Sequence, residues 1–426
     1  MLAELLVTFL IASISKFFPS FFMFSTATSA SALLRGALLG LALLGSAAAT
    51  QAQTIYGLST ISSGTNLVTF SAAAPTTFTA TVAITGLGTG QTLVGLDTRP
   101  ATGELFALGY NPTGTQAQLY TLNRTTGALT AVGAALTLNL GTTAARIGFD
   151  FNPTVDRIRV TSSARTNFRL NPNNGALAAT DGTLTYATTD ANANQTPGVG
   201  SSAYTNSYIG STATTLYNLD ETNNRLVTQV PPNDGTLNTV ATLSGTATSN
   251  AIAADLDIYY NPTTAANVAY MSVVVSGTAG NSSLLYTLNL TTGVASPAGS
   301  IGLTVPTTVT DIAVAIDRTV PGTVTGQLAY ALAGTNLVTF DTALPGTIRT
   351  SVGLTGVDAA QTLVGMDIRP ANNALYALGY NSAAATGVNN SQLYTINAVT
   401  GVATPLNVPF RLELGTGAVG FDFNPT

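Results

Sequence analysis

Residues 92–133, TLVGLDTRPATGELFALGYNPTGTQAQLYTLNRTTGALTAVG, decide the fold. Four apolar runs are packed into them: LVGLD (93–97), LFALGY (105–110), QLYTLN (118–123) and ALTAVG (128–133). Each alternates with period two and is rich in Leu, Val, Tyr and Thr, which is the pattern of a strand with one face buried. A turn holding Pro100 joins the first two runs, and Thr126-Gly127 closes a hairpin between the last two. Four strands joined by short turns make one antiparallel module. No stretch beyond residue 52 carries helical periodicity, so the fold class is all-β.

The module recurs. Its opening motif, apolar–Gly–apolar–Asp–x–(Arg/Asn)–Pro, returns as IGFDFNP (147–153) and more loosely as DLDIYYNP (255–262). Its third strand returns as LYNLDETNNRLVTQV (216–230) and LYTLNLTTGVASPAG (285–299), and comparable modules begin near 147, 200 and 252. Radial repetition of four-stranded modules is the signature of a β-propeller. The opening strands IYGLST, NLVTFS and TATVAITG lack a first strand, whereas DIAVAID (311–317) is left over at the far end. Pairing of 311–316 with 55–60 would close the ring in one blade. Five blades are favoured, and six would need strands hidden in a long loop.

A longer repeat overlies the short one. QTLVGLDTRPATGELFALGYN (91–111) returns as QTLVGMDIRPANNALYALGYN (361–381), and GFDFNPT (148–154) returns at 420–426, an offset of about 270 residues. The expected division is a targeting region (1–52), a first propeller (53–325) and an incomplete second copy (326–426), the chain being expected to belong to a longer product. Two blades alone would leave apolar faces in water, so the second copy is expected to be partly disordered or to stack on the first propeller or another chain.

The targeting expectation rests on ALLRGALLGLALLGSAAATQAQ (32–53): Arg35, a short apolar stretch, then small residues, with cleavage after Ala49 or Ala52. The apolar stretch is too short to span a bilayer. The upstream run LAELLVTFLIASISKFF reads as an over-extended start, with an amino-terminal anchor as the alternative. Removing 1–52 takes away Lys16, Arg35 and Glu4, so a net charge of −5 becomes −6. The expected location is outside the cell or on its surface, with no membrane span in the mature chain.

Composition excludes much chemistry. The 426 residues include no Cys, His or Trp, and the sole Lys is Lys16. Disulfides, thiolate nucleophiles, His-based triads and lysine Schiff bases are therefore ruled out. With 14 basic residues against 19 acidic ones and no basic cluster, nucleic-acid binding is excluded too. Ser and Thr abound without a Gly-x-Ser-x-Gly elbow.

Taken together, GLDTRPATGELFALG, GFDFNPTVDRIRVTS, FRLNPNNG, SAYTNSYIGSTATTLYNLD and LVTQVPPNDGTLNTV resemble the bacterial domain-of-unknown-function family numbered 4394. The resemblance covers about 53–318 in full and 326–426 in part. It implies a secreted, propeller-like domain and brings no catalytic residue, ligand or reaction.

Three sets of residues are candidates for chemistry. Asp97, Asp150 and Asp257 stand at equivalent points of innermost strands, with Asp311 and Asp317 on the closing one. Axial carboxylates of this kind could hydrolyse glycosides, given one acid of raised pKa and one ionised partner at the right separation. Recurrence from blade to blade points instead to carboxylates that cap the same turn each time. Arg157 and Arg159, at i and i+2 of a strand, could bind an anion or an acidic glycan, or pair internally with Asp150, Asp156 or Asp181. Asp190, Asn192 and Asn194 have the alternating oxygens of a calcium loop, but Gln195 replaces its Gly and Ser201 its closing Glu. The expectation is an exported binding or structural module without a cofactor, its partner a glycan or a surface protein. The alternative is a carbohydrate-active hydrolase using the axial carboxylates.

Overall fold

The alternating runs are strands, and glycine at a fixed place in the opening motif lets neighbouring strands come close. A Cβ at Gly95 would lie 2.4 Å from Cβ of Phe149, and one at Gly148 would lie 2.7 Å from the Ser202 nitrogen. The computed structural model describes residues 53–426 apart from 62–63, 143–145, 246–250, 279, 303–307, 317, 319–322, 407 and 426. The expected targeting region and Asp317 therefore lie outside the described residues. Those residues contain strands and turns and no helix, hence no helix able to cross a membrane.

Among them, residues 54–314 form five antiparallel blades. Blade two joins Thr92–Thr98, Leu105–Asn111, Gln116–Leu122 and Leu129–Ala131 in sequence order. Blades three and five follow the same path from Ile147–Asn152 and Ala251–Asn261. Blade four starts at Val199–Tyr204 and gains a parallel outer strand, Thr185–Tyr186. Blade one is spliced from both ends of the unit: Thr308–Val314 is its inner strand, followed by Thr54–Ile61, Gly64–Ser71 and Ala74–Ala83. The register sets Ile55 against Val314 and Leu58 against Asp311. This is the ring closure that the leftover strand implied. The five inner strands pack side by side in a closed circle, from 92–98 round to 308–314 and back.

Apolar faces are buried between blades. Phe106 and Leu108 of blade two meet Phe149, Phe151 and Ile158 of blade three, and the Phe106 and Phe151 rings stack edge to face at 5.2 Å. Leu219 and Leu226 of blade four meet Leu256, Ile258 and Met271 of blade five. At the seam, Ile312 and Val314 are buried with Ile55, Val68 and Leu285. Each fully buried aliphatic side chain contributes about 1.5–3 kcal/mol.

The second copy begins a second propeller. It holds a three-stranded sheet, Leu328–Ala333, Asn336–Asp341 and Leu344–Gly353, and a four-stranded one starting at Thr362–Arg369. The three-stranded sheet has no inner strand among the described residues. The copy is seated on the loops of blade three. Arg157 Nη2 donates to the Leu354 carbonyl at 3.2 Å, Asn336 Nδ2 to Thr154 at 3.3 Å and Asn173 Nδ2 to Thr400 at 3.3 Å.

Candidate functional site

The motif Asp ends up on the propeller axis because inner strands turn alternate side chains inward. Asp97 Oδ2 accepts the Phe151 N–H of the next inner strand at 2.8 Å, and Asp150 Oδ1 accepts the Tyr204 N–H at 3.0 Å. Blade four has Ala203 at this position and makes its staple from Ser201, two residues earlier. Ser201 Oγ accepts the Leu256 N–H at 2.8 Å and donates to Asp255 Oδ1 at 2.9 Å. Asp255 Oδ2 and Asp257 Oδ2 then accept the N–H groups of Ile312 and Val314, at 2.8 and 2.5 Å. Asp311 completes the circuit by accepting the Leu96 N–H. Every inner strand is thus stapled to the next by a side chain on its neighbour's backbone.

This differs from the turn-capping role expected of these residues. Asp97 does accept the N–H of its own successor, Thr98, at 2.6 Å, but each carboxylate also reaches across to the neighbouring blade. Packing of one blade on the next brings inner strands close enough for that bond, which a motif read within one blade does not reveal.

One oxygen each from Asp97, Asp150 and Asp257 lies within 4.8 Å of the others, and all three residues are buried. Their oxygens could surround one cation. Burial raises the pKa of the whole axial set, and neighbouring carboxylates add to it at Asp97, Asp150, Asp255 and Asp311. Asp255 is pushed up to about 7 and Asp257 to about 6, while Asp97, Asp150 and Asp311 stand well above the usual carboxylate range.

The arginines are engaged inside the protein. Arg159, 1% exposed, donates to Asp181 at 2.5 Å, Asn167 at 2.8 Å, Asn233 at 2.9 Å and the Tyr204 hydroxyl at 3.1 Å. Arg169 shares Asp181 at 2.8 Å. Arg157 turns away to the Asp156 carbonyl at 2.8 Å and to Leu354, so the two candidate anion ligands do not converge. Arg159→Met would bury Asn167, Asn233 and Asp181 without this donor, at a cost of about 3–5 kcal/mol. Arg169→Met, at the half-exposed member, costs about 1 kcal/mol or less. Urea unfolding of both variants checks the order; equal midpoints would contradict it.

In the calcium-like triplet, Asp190 is engaged within the protein. Both Asp190 oxygens are taken by Thr239 and Asn192, with the Asn192 amide nitrogen donating at 3.2 Å and the Thr239 N–H at 2.6 Å. Asn194 is exposed. The carboxylate instead ties loop 187–198 to strand Thr236–Thr242.

What the sequence did not point to is a cavity of about 250 Å³ at the start of the inner strands, with Asp255 and Asp311 among the residues that line it. Bulges shape it, and bulges leave no mark in a period-two reading. The inner strands of blades two, four and five slip register at Leu93/Gly95, Val199/Ser201 and Ala251/Ala253, and the blade-one pair slips between Leu58 and Ser59.

No curated protein matches this chain. Several solved structures align with it at low similarity. A candidate 6-phosphogluconolactonase from Bacteroides uniformis shares 15% identity over 84% of this chain and 97% of its own, at a TM-score of 0.27. A Lactobacillus plantarum protein shares 12% over 84% and 96%, at 0.31, and the Dos1 propeller shares 10% over 85% and 82%, at 0.31. Likeness this weak carries no argument about function, and the propeller rests on the strand order above. The sequence profile of the domain of unknown function DUF4394 matches residues 66–313 and again 336–426, one full copy and one truncated. The chain belongs to the DUF4394 family.

Proposed function

We propose that this protein is an exported β-propeller that works as a binding or structural module at or outside the cell surface, and not as a hydrolase. The observation that carries the reading is the ring of staples: the carboxylates available for catalysis already accept backbone N–H bonds between blades. A glycosidase needs two carboxyl groups about 5–9.5 Å apart with a sugar between them. Here three carboxylate oxygens crowd within 4.8 Å of one another in the buried centre of the ring. The targeting sequence and the absence of Cys support export, with stability drawn from blade packing.

The test is a set of three variants, Asp97→Asn, Asp150→Asn and Asp257→Asn, assayed for thermal stability and against a glycan panel. Asn keeps an acceptor oxygen and removes the charge. Similar, modest stability changes in all three and no hydrolysis by the parent protein are expected. Turnover of one glycan, abolished by a single variant whose stability is unchanged, would establish the hydrolase instead.

A further inference from the structure

The second copy carries an edge that the first copy keeps covered. In the first propeller Thr308–Val314 pairs with Thr54–Ile61 and packs beside Thr92–Thr98, so one strand fills the space between them. The second copy builds both flanks of that space again. Its hairpin pairs Leu332 with Leu337 and Tyr330 with Thr339, as Leu58 pairs with Leu67 and Tyr56 with Thr69. Leu328–Ala333 therefore stands where residues 54–59 stand in the first copy, and it lies beside Thr362–Arg369 as Thr54–Ile61 lies beside Thr92–Thr98. Among the described residues no strand pairs with its outer side. Leu58 and Leu96 are each 2% exposed, whereas Leu332 and Met366, at the same positions, are only half-buried, and Leu328 and Ile368 are exposed. The backbone is aimed alike in both copies. The Gln53 carbonyl accepts from Ala72 on the inner side, and the Thr54 carbonyl accepts the Ala315 N–H of the closing strand at 2.9 Å. The Gln327 carbonyl likewise accepts from Thr342, which turns the carbonyls of Leu328, Tyr330 and Leu332 outward. Gly57, however, is replaced by Ala331. A Cβ at Gly57 would lie 2.8 Å from Cγ1 of Val309, and valine is stiff at χ1.

We propose that Leu328–Ala333 is a docking edge for an added β-strand, an extended segment of the Thr308–Val314 type with a side chain smaller than valine over Ala331. Its acid takes the Met366 N–H as Asp311 takes that of Leu96. An edge strand offers a row of backbone donors and acceptors, and an extended segment satisfies them while its alternate side chains fill the flanks. Here both flanks are apolar and set apart by one strand's width, as they are where Thr308–Val314 fills the space in the first copy. The alanine sorts closing strands. The strand that carries Val309 fits over Gly57 and is crowded over Ala331, so it stays with the first propeller. The proposal is independent of the binding-module reading, since either holds without the other.

The experiment titrates the full chain with fluorescein-labelled peptides of sequence TVTDIAVAI (308–316), read by fluorescence anisotropy. The Val309→Ala peptide is expected to bind at a single site, about tenfold tighter than the unaltered peptide, which is the effect of relieving one overpacked side chain. In the Ala331→Gly chain the unaltered peptide should gain the same factor, and the preference should vanish. N-methylation of the Val309→Ala peptide at Ala313 and Ala315 removes the N–H groups that face the edge and keeps every side chain. It should abolish binding, whereas apolar adhesion would survive it. A preference that persists in the Ala331→Gly chain, or equal binding of the N-methylated peptide, would overturn the proposal. So would failure of the Val309→Ala peptide to bind, whether the chain sediments as a monomer or as a dimer in which a second copy holds the edge.

Discussion

Lowering the pH from 8 to about 4 is expected to stabilise the propeller. Asp255 and Asp257 are raised to about 7 and about 6, and Glu221, buried beside Arg146, to about 7. Asp97, Asp150 and Asp311 are raised as well, with burial the largest cause throughout. A carboxyl whose folded pKa exceeds its unfolded value binds its proton more tightly in the folded state. Its protonation then favours folding, so stability falls as pH rises from the unfolded pKa, near 4, through the folded values near 6–7. Two shifts of this size amount to on the order of 5 kcal/mol, or about 10 °C in a domain of this length. Below pH 4 the sign reverses. Asp341, lowered to about 2 by the N–H groups of Thr325 and Ala343, and Asp367, lowered by the Phe423 N–H, lose their contribution as they protonate. Scanning calorimetry from pH 3 to 9 should therefore show a maximum near pH 4–5. A melting temperature that climbs steadily to pH 8 would show that the axial carboxylates are charged in the folded protein and neutralised by something else.

Deleting residues 309–318 is expected to abolish the cooperative thermal transition of the first propeller. The deletion removes Val309, Ile312 and Val314, each no more than 2% exposed, at about 1.5–3 kcal/mol apiece. It also strips the N–H partners from Asp255 and Asp257 and leaves Thr54–Ile61 as an unpaired edge beside an open gap in the ring. These losses together approach or exceed the 5–15 kcal/mol that typically separates a folded domain from its unfolded chain. Circular dichroism melts of the deleted and parent chains decide the point. An unchanged transition would mean that the ring is held without its closing strand. Replacing the same residues by a Gly/Ser segment of equal length should be as damaging, because the segment acts through its side chains and not as a tether.

Much of this architecture was legible in the chain itself. Period-two runs at 93–97, 105–110 and 118–123 mark strands because a half-buried strand must alternate. The surplus of one strand at 311–316 against the deficit at 55–60 marks the closure, since a repeat that starts one strand late must finish one strand late. Blade count was narrowed to five or six and no further, because only packing shows whether a loop contributes strands. The site was less legible. Arg157 and Arg159 look alike as i and i+2 of one strand. Yet Asp181, Asn233 and Tyr204 capture one, and the second copy's Leu354 engages the other.

The repeated motif supplies its own control on what sequence decides. LVGLD and LVGMD fold the same way. Asp367 accepts the N–H groups of Phe423 and Ile368 at 2.8 Å each, as Asp97 accepts those of Phe151 and Thr98. The staple is therefore local and written in the motif: a short carboxylate, a glycine that permits close approach, and a neighbouring strand with the same spacing. Its electrostatics are not. Asp97 lies in a closed ring among Asp150, Asp255 and Asp257, out of water, and its pKa rises. Asp367 sits on a half-exposed inner strand where hydrogen bonding outweighs burial, and its pKa falls. The repeated motif by itself determined that these carboxylates accept backbone N–H groups. Ring closure decided whether those residues hold a charge, because the cost of ionising a carboxyl is set by how much water and how many like charges the finished fold leaves around it.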